Sequence, residues 1–336
     1  MSLMKALVLT AAQGVSSAAL REVEAPSPKA GEVCVALKAA ALNHRELWIA
    51  RGQYPGMQLP CILGCDGAGV VQSVGAGVDA AMIGREVMIY PGLDWGADPR
   101  FPAPAFGLLG MPGPGTVAQS ICVAAASAVD KPDCLSFEQA AAIPLAALTA
   151  WRALTTKAQL APNDRVLISG VGGGVATFAL KFAVASGAVP FVTSGSADTL
   201  ALAKGLGAAG GFDYKDPELR KIIAKSTGGI DVVIDGAPAS AFASYGRALN
   251  MGARVVVYGS TGGMQFQVTA TDLFLRNVTI VGTNVGNPRE FRDMIAFVER
   301  HRIEPAIDRS FSLEEAADAL SYFESSHRFG KIVISI

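Results

Sequence analysis

The amino-acid sequence predicts an α/β protein in which a doubly wound parallel sheet accompanies a small β-barrel. Two features of the 336 residues support this prediction. In the first third of the chain, short apolar runs alternate with glycine and proline, a pattern typical of barrel strands. From about residue 130 onwards strands alternate with helices. This alternation builds a parallel sheet, because parallel strands need crossover helices.

The predicted barrel strands share β-type apolar runs bounded by glycine or proline. They are MKALVLT (4–10), ALREVEA (19–25), GEVCVALKAAAL (31–42), GAGVVQSVG (67–75) and EVMIY (86–90). A stretch rich in proline and glycine follows at 90–115. Because these residues disfavour both helix and strand, we expect an irregular excursion there.

The predicted parallel sheet begins with the buried strand RVLISG (165–170), which leads through glycines into a helix. Apolar residues of that helix recur with the period of one helical face, namely Val175, Phe178, Ala179, Phe182 and Ala183. The further strands are VPFVTS (189–194), DVVID (231–235), ARVVVYG (253–259) and VTIVGT (278–283), and a helix is predicted from Ala197 to about Leu206.

The last segment returns to the barrel pattern. FSLEEAADAL (311–320) begins a helix with a capping box formed by Ser312 and Glu315. GKIVISI (330–336) is the closing strand, which we expect to rejoin the N-terminal barrel. We therefore predict a barrel domain of residues 1–129 and 289–336, and a sheet domain of residues 130–288.

The composition narrows the classes of function. With 51% hydrophobic and 17% charged residues the chain can bury a large core and is not disordered. A net charge of −1 argues against a nucleic-acid partner, which usually leaves a basic surplus. No apolar run is long enough to span a bilayer, and the N-terminus lacks the pattern of a signal peptide. We expect a cytoplasmic enzyme that acts on a small molecule.

The cysteines fit the same compartment. They form no CxxC pair and make an odd total, being Cys34, Cys61, Cys65, Cys122 and Cys134. This pattern argues against a disulfide framework in so long a chain. Reduced thiols in the cytoplasm are the simpler interpretation.

The glycine-rich stretch ISGVGGGVATFAL (168–180) indicates a dinucleotide cofactor. Glycines between a strand and a helix allow a sharp turn and a close approach of the backbone to a pyrophosphate, and the helix N-terminus offers free N–H groups. The alternative is a tight turn that needs small residues, but the strand–loop–helix context favours the cofactor. The predicted binding residues are Gly170, Gly172, Gly173, Gly174 and Val175.

The end of the second sheet strand favours NADP(H) over NAD(H). NAD-specific proteins carry an acidic residue there that binds the ribose 2′-hydroxyl. This chain has Ser194, Gly195 and Ser196 instead, with no carboxylate before Asp198. These small and hydroxylated residues leave room for a 2′-phosphate, although no arginine is present to bind it.

Five separate segments, in order, resemble the medium-chain dehydrogenase/reductase superfamily, and closest are its quinone-oxidoreductase-like and zinc-type alcohol-dehydrogenase-like branches. They are ALNHRELWIARGQYP (41–55), LPCILGCDGAGVVQSVG (59–75), AAAIPLAALTAWRAL (140–154), GIDVVIDGA (229–237) and HRFGKIVI (327–334). The resemblance covers essentially the whole chain. It implies a GroES-like catalytic barrel, a Rossmann nicotinamide-binding domain, an active-site cleft between them, and a homodimer formed through sheet edges near VTIVGT.

The resemblance also implies where a catalytic zinc ion would lie. Zinc alcohol dehydrogenases of this superfamily bind it with a Cys in the segment matching LNHREL, a His in the segment matching LGCDGAG, and a third ligand matching PLAALTAW. This chain has Asn43, Cys65 followed by Asp66, and only apolar side chains at 145–147. One thiol and one carboxylate do not complete the three-ligand set of catalytic zinc. The four cysteines of the structural zinc lobe are also missing from 90–115. We therefore expect no zinc, and no metal-ligand role for His44.

The loss of zinc favours one reaction class. Oxidation of an alcohol must stabilise an alkoxide with a pKa of roughly 16, which zinc can lower to about 7. Reduction of a quinone or α,β-unsaturated carbonyl gives a phenolate- or enolate-like anion, and a phenol has a pKa of about 10. The difference of about 6 units corresponds to roughly 8 kcal/mol. The amide of Asn43 or a backbone N–H can stabilise the easier anion. The sequence thus predicts a zinc-independent, NADPH-dependent reductase of such acceptors.

Asn43 and His44 are the candidate catalytic residues. Zinc-free relatives carry an Asn near the nicotinamide, which favours a catalytic-site role for Asn43 over the alternative of a simple hydrogen bond within a barrel loop. His44 matches a Tyr in the N-Y-x-D pattern of quinone-oxidoreductase-like relatives. Either it donates a proton or orients a carbonyl, or it is a supporting or surface histidine. Arg45 is interpreted as a loop support. Cys65 and Asp66 are assigned a packing role first and substrate contact second.

Four further residues are assigned to the cofactor through the resemblance. Tyr214 matches a family tyrosine near the adenosine ribose and its 2′-phosphate, while Gly259 leaves room for the dinucleotide at a strand end. Thr149 and Lys331 lie in the family motifs TAW and GKIVI, and Lys331 could instead contact only the domain junction. Where the family often has a Lys, this chain has Thr199, which weakens the NADP assignment.

Two other functions remain open from the sequence alone. One is a metal-free alcohol or aldehyde oxidoreductase that uses His44 and Asp66. The other is a protein that binds NADPH without turning over a substrate.

Overall fold

The computed structural model describes residues 2–325 and 328–336. Its backbone divides into two compact units, one formed by Met1–Ala146 with Gly286–Ile336 and the other by Ala147–Val285. The α/β class is confirmed, since one unit is built mainly of antiparallel strands and the other of a parallel sheet with helices.

The N-terminal part of the first unit contains most of its strands. They are β1 Leu3–Leu9, β2 Ala18–Glu24, β3 Glu32–Ala41, β4 Cys61–Ile62, β5 Asp66–Val74, β6 Glu86–Ile89, β7 Gly92–Leu93, β8 Gly107–Leu108, β9 Ser120–Ala124 and β10 Ala128–Asp130. The helices are α1 His44–Ala50, α2 Phe137–Ala141 and α3 Pro144–Trp151, the last of which continues into the second unit. The stretch 90–115 is irregular as expected, except for the two-residue strands β7 and β8, which pair with each other.

The second unit has the doubly wound topology that the sequence predicts. Its elements are β11 Arg165–Ile168, α4 Gly174–Ala185, β12 Val189–Ser194, α5 Ala197–Gly205, β13 Gly210–Asp213, α6 Leu219–Thr227, β14 Ile230–Asp235, α7 Pro238–Tyr245, β15 Leu249–Val257, α8 Ala270–Phe274 and β16 Thr279–Gly282. The strands pair in parallel in the order β13-β12-β11-β14-β15-β16. The order reverses between β11 and β14, and dinucleotides bind at such a switch point.

The chain then returns to the first unit through α9 Pro288–His301, β17 Ile307–Ser312, α10 Ala316–Ser325 and β18 Lys331–Ser335. The predicted capping box is present, with Ser312 and Glu315 at the start of a short 3-10 turn before α10. As expected, β18 rejoins the barrel, where it pairs antiparallel with β3 and parallel with β17.

The sheet of the first unit positions the candidate catalytic residues. Strands follow the order β10-β6-β5-β3-β18-β17, and β9 also pairs with β3. Alternate side chains of β3, including Val33, Val35 and Leu37, pack into an apolar core with Val71 and Val87. Strands β5 and β18 both pair with β3. Their first residues, Asp66 and Lys331, therefore lie close to the residues that follow β3. Over the described part of the chain, no helix combines the length and apolar character needed to cross a membrane.

Candidate active site

Asn43 is the N-cap of helix α1 and lies two residues after the end of strand β3. Its backbone is extended, and its N–H donates a hydrogen bond of 2.6 Å to Oε2 of Glu46, a fully buried residue. This contact places the carboxylate of Glu46 at the helix N-terminus, where the free N–H groups favour a negative charge. Arg45 shares the burial of Glu46, since its Nη1 lies 3.2 Å from Glu46 Oε1 and donates to the carbonyl of Leu109. Arg45 therefore supports a loop, as the sequence suggests.

The side chain of Asn43 joins a buried polar cluster with Cys65, Asp66 and Lys331. Its Nδ2 donates to Asp66 Oδ2 at 2.8 Å and lies 3.5 Å from Cys65 Sγ. Lys331 Nζ donates to Asn43 Oδ1 at 2.5 Å and to Asp66 Oδ2 at 3.0 Å. The backbone N–H of Leu145 completes the cluster with a bond of 2.8 Å to Asp66 Oδ1.

Sheet register explains why these residues meet. Asp66 is the first residue of β5 and lies opposite Ala41 of β3, while β18, which begins at Lys331, pairs with β3 on its other side. The structure thus brings together Asn43, Cys65 and Asp66, which the sequence singled out. It also adds the ammonium of Lys331, which the sequence assigned to the cofactor. Lys331 is only 3% exposed, and its charge lies against Asp66.

His44 contacts Arg328 rather than this cluster. Arg328 Nη2 lies 3.3 Å from His44 Nδ1. Because a guanidinium only donates hydrogen bonds, Nδ1 is the acceptor, and the neutral ring carries its proton on Nε2. Part of the ring is exposed, and its other sides face Trp48 and Phe323. The surrounding protein, with a smaller contribution from the charges of Arg328 and Arg51, lowers the pKa of His44 to about 4. His44 is therefore neutral at physiological pH and can act as a hydrogen-bond donor.

The glycine loop between β11 and α4 has the geometry of a phosphate site. Gly170 and Gly172 have φ values of 63° and 143°, which side-chain-bearing residues rarely adopt. A Cβ atom at Gly170 or Gly173 would meet nothing within 4 Å, so this backbone faces open space. Thr193 fixes the loop from the neighbouring strand, since its Oγ1 accepts from Gly170 N at 2.9 Å. Helix α4 begins at Gly174 and directs its free N–H groups towards the loop. These residues fit the pyrophosphate of a dinucleotide.

The residues expected near the adenosine ribose also lie together. A Cβ atom on Gly195, just after β12, would be 2.7 Å from the hydroxyl of Tyr214 and from Cε of Lys215. Lys215 Nζ donates to the carbonyl of Gly195 at 2.7 Å. The hydroxyl of Ser196 instead caps α5 by accepting from Thr199 N.

The structure also locates the two remaining residues assigned to the cofactor. Thr149 is a buried residue of α3. Gly259 follows β15, and a Cβ atom there would lie 3.0 Å from the carbonyl oxygen of Gly236.

Two residues that contact predicted site residues, Lys215 and Arg328, were not predicted from the sequence. Lys215 follows Tyr214 in FDYKD and places its ammonium against the carbonyl of Gly195. Arg328 precedes the closing strand and fixes the tautomer of His44. The signal for Lys215 was its place beside a family tyrosine. No local signal connects Arg328 with His44, since 284 residues separate them.

Comparison with known proteins identifies the family. Residues 29–133 match the alcohol dehydrogenase GroES-like domain, and residues 174–300 match the zinc-binding dehydrogenase family. The zinc-type alcohol dehydrogenase-like protein YogA of Leptosphaeria maculans is 35% identical, with 94% of each chain covered. Rat quinone oxidoreductase is 27% identical, with 93% of this chain and 92% of that protein covered.

Solved structures agree with this assignment. An NAD-dependent alcohol dehydrogenase superimposes with a TM-score of 0.94 and 35% identity over 99% of this chain and 100% of that chain. The 2-octenoyl-CoA carboxylase reductase CinF, solved with NADP and 2-octenoyl-CoA, gives a TM-score of 0.89 and 26% identity over 100% of this chain and 88% of that chain. The chain belongs to the medium-chain dehydrogenase/reductase superfamily. It is an NAD(P)H-dependent oxidoreductase.

The zinc ion that the family implies does not fit the residues present. Both carboxylate oxygens of Asp66 already accept hydrogen bonds, and Oδ2 accepts one of them from the ammonium of Lys331. Zinc binds thiolate, but burial and then the negative charges of Asp66 and Glu46 raise the pKa of Cys65 well above its usual range. Within 2–325 and 328–336, no three His, Cys, Asp or Glu side chains are arranged to hold a metal ion.

The buried pair of Lys331 and Asp66 can be tested through stability. Lys331→Met leaves the Asp66 carboxylate buried without its cation, so we expect the free energy of unfolding to fall by about 3–5 kcal/mol. Urea denaturation measures this loss. The double variant Lys331→Met with Asp66→Asn removes both charges and should recover most of it. Lys5→Met is the matched control, because Lys5 forms an exposed pair with Glu314 at the same 3.0 Å. Equal losses in Lys331→Met and Lys5→Met would contradict the importance of burial.

The neutral state of His44 can be tested by titration. Arg328→Gln removes a positive charge that opposes the imidazolium, so the pKa of His44 should rise from about 4 towards its ordinary value of 6.5. NMR titration of the imidazole signals measures this change, and the chain has only three histidines. Arg21→Gln, on an exposed strand position, should leave the titration unchanged. An unaltered pKa in Arg328→Gln would show that Arg328 has no such effect.

Proposed function

We propose that the protein is a zinc-independent, NADPH-preferring oxidoreductase that transfers hydride to a quinone or another α,β-unsaturated carbonyl. The observation that carries this proposal is the cluster of Asn43, Asp66 and Lys331. Asn43 and Asp66 lie in segments where zinc-dependent relatives hold their metal, and in this chain their side chains bind the buried ammonium of Lys331 instead. Such a site suits an acceptor whose reduced form tolerates negative charge without a metal.

The proposal assigns cofactor binding to the second unit. The turn at Gly170, Gly172 and Gly173, with Gly174 and Val175 at the start of α4, would hold the pyrophosphate. The adenosine ribose and its 2′-phosphate would lie against Ser194, Gly195, Ser196 and Tyr214, with Lys215 as the counter-charge. Thr149, Gly259 and Lys331 remain proposed cofactor contacts. When bound, the nicotinamide supplies the hydride, and the protein orients the reactants and excludes water.

In the first unit, His44 would bind the acceptor and Asn43 would hold the buried cluster in place. Both amide hydrogens of Asn43 point to Cys65 and Asp66, so this residue acts mainly by fixing the cluster. The Nε2–H of neutral His44 would donate a hydrogen bond to the acceptor carbonyl. A neutral imidazole is a poor acid, so the proton that completes the reduction would come from water. His44 thereby orients and polarises the acceptor.

Similarity to known proteins supports two substrate classes. Rat quinone oxidoreductase and CinF, with its bound 2-octenoyl-CoA and NADP, support an activated acceptor. The NAD-dependent alcohol dehydrogenase and YogA favour alcohol oxidation as the second candidate. We prefer the first, because an alkoxide with a pKa of roughly 16 needs more stabilisation than hydrogen bonds from neutral donors supply.

The domain boundaries, the oligomeric state and the cellular compartment are also proposed. Residues 1–129 and 289–336 would serve as the catalytic domain, and 130–288 as the nicotinamide-binding domain. The strand β16 lies at the edge of its sheet with Thr279 and Gly282 exposed, which supports a homodimer paired through this edge. The five free thiols support a reducing compartment such as the cytoplasm.

A substrate and metal assay tests the function. The purified protein is first analysed for zinc, then assayed with NADPH and NADH against 1,4-benzoquinone and a simple enone, and with NADP⁺ or NAD⁺ against a primary alcohol. We expect NADPH oxidation with the quinone and the enone, little zinc, and no effect of a chelator. Stoichiometric zinc with alcohol oxidation would establish the second candidate instead. Tight NADPH binding without turnover of any acceptor would indicate a binding protein.

Lys215 provides a test of cofactor preference. Lys215→Gln removes the positive charge near the proposed 2′-phosphate, so KM for NADPH should rise about fivefold or more, while KM for NADH changes little. Steady-state kinetics with both cofactors measures the ratio. Lys204→Gln, an exposed lysine of α5, is the matched control and should leave the ratio unchanged. An equal effect of Lys215→Gln on both cofactors would contradict the role of Lys215.

A further inference from the structure

Two cysteines face each other across neighbouring strands of the first unit. Cys34 of β3 lies directly opposite Cys122 of β9 in an antiparallel pairing. In the same ladder, Leu37 N donates to the opposite Gln119 O at 3.0 Å. Because hydrogen-bonded and non-hydrogen-bonded pairs alternate along antiparallel strands, Cys34 and Cys122 form a non-hydrogen-bonded pair.

This type of pair suits a covalent link. Its Cα atoms are about 4.5 Å apart, and both side chains project from the same face of the sheet. A disulfide needs a Cα separation of about 4.4–6.8 Å. The Cys34 thiol lies close enough to Cys122 to contribute to the raised pKa of the Cys122 thiol. The backbone is therefore arranged for a disulfide without a change of register.

The surroundings distinguish the two thiols. Cys34 is only 1% exposed, and its Sγ accepts a hydrogen bond of 3.0 Å from Gln72 Nε2. Cys122 is partly exposed and can meet a reagent from solvent. Burial, with further contributions from the Cys34 thiol and Glu32, raises the pKa of Cys122 to about 12. At neutral pH the thiol of Cys122 is therefore protonated.

We propose that Cys34 and Cys122 form a redox modification site, at which a small-molecule disulfide such as oxidised glutathione converts the two thiols into a cross-strand disulfide. The partly exposed Cys122, as thiolate, attacks the reagent and forms a mixed disulfide, which releases one thiolate. Cys34, as thiolate, then attacks the Cys122 sulfur and displaces the second thiolate. Overall two thiols lose two protons and two electrons, and one reagent disulfide is reduced to two thiols.

The link has a defined structural consequence. It joins β3 to β9 and closes the chain between residues 34 and 122, which includes helix α1 and strand β5. A cross-link over so long a loop restricts the unfolded chain, so the oxidised protein should unfold at a higher temperature. This inference concerns only the first unit and does not depend on the proposed function.

Peptide mapping of the full-length protein tests the proposal. The reduced protein is equilibrated with mixtures of reduced and oxidised glutathione, alkylated, digested without reductant and analysed by mass spectrometry. We expect a linked pair of peptides containing Cys34 and Cys122 that has lost two hydrogens, a higher unfolding midpoint, and reversal of both by dithiothreitol. The exposed Cys134 should carry glutathione instead.

Three variants assign the steps. In Cys34→Ser, Cys122 should retain glutathione, because the resolving thiol is gone. In Cys122→Ser, the buried Cys34 should remain free. Cys134→Ser is the matched control, in which the linked peptides should form as in the wild type. The proposal is overturned if wild-type Cys34 and Cys122 both stay alkylatable while Cys134 is fully glutathionylated, or if either of them links to another cysteine. The wild-type result decides the matter even where a variant does not fold.

Discussion

The buried ion pair between Lys331 and Asp66 is the constraint on which the candidate site depends. Removing two such charges from water costs several kcal/mol for each ion, and this cost is offset only where the remaining hydrogen-bonding groups also find partners. Here Asn43 donates to the carboxylate and accepts from the ammonium, and the N–H of Leu145 binds the other carboxylate oxygen. Strands β3, β5 and β18 must therefore keep their register, because a slip of one residue would reverse the side chains and expose or orphan the charges.

The same cluster underlies the chemistry that we propose for the first unit. A carboxylate that already binds an ammonium, beside a thiol whose pKa is raised, is a poor set of ligands for zinc. His44 is kept neutral by the protein around it and by Arg328, and so it offers a hydrogen bond rather than an acidic proton. Neutral donors suffice for an anion that is delocalised over a quinone or an enone, and they are weak partners for an alkoxide. In the proposed function, the charge state of a few buried groups distinguishes this chain from zinc-dependent relatives that share its fold.

In the second unit, the strand ends rather than any single residue define the proposed cofactor site. Gly170 and Gly172 adopt positive φ angles, and the hydroxyl of Thr193 holds the turn from the adjacent strand. One strand further along the sheet edge, Lys215 approaches the carbonyl of Gly195, where NAD-specific proteins place a carboxylate. The proposed preference for NADPH rests on this positive charge, because a cation favours a 2′-phosphate over a 2′-hydroxyl. Lys215 can reach Gly195 because β12 and β13 pair in parallel, which brings the carboxyl ends of both strands to the same edge of the sheet.

The fold class, the barrel-like first third, most of the alternating strands and helices, the glycine turn and the missing zinc ligands could all be read from the sequence, whereas the short strands β13 and β17 and the helix α6 were not predicted. The predicted features are written locally, in apolar periods of two or 3.6 residues, in turn residues and in short motifs. Four contacts became visible only in the folded chain: Lys331 with Asn43 and Asp66, Arg328 with His44, Lys215 with Gly195, and Cys34 with Cys122. Lys331 and Asn43 are 288 residues apart. Such contacts follow from strand register and side-chain direction, which are set by the packing of the whole domain. The amino-acid pattern of each short segment therefore does not indicate them.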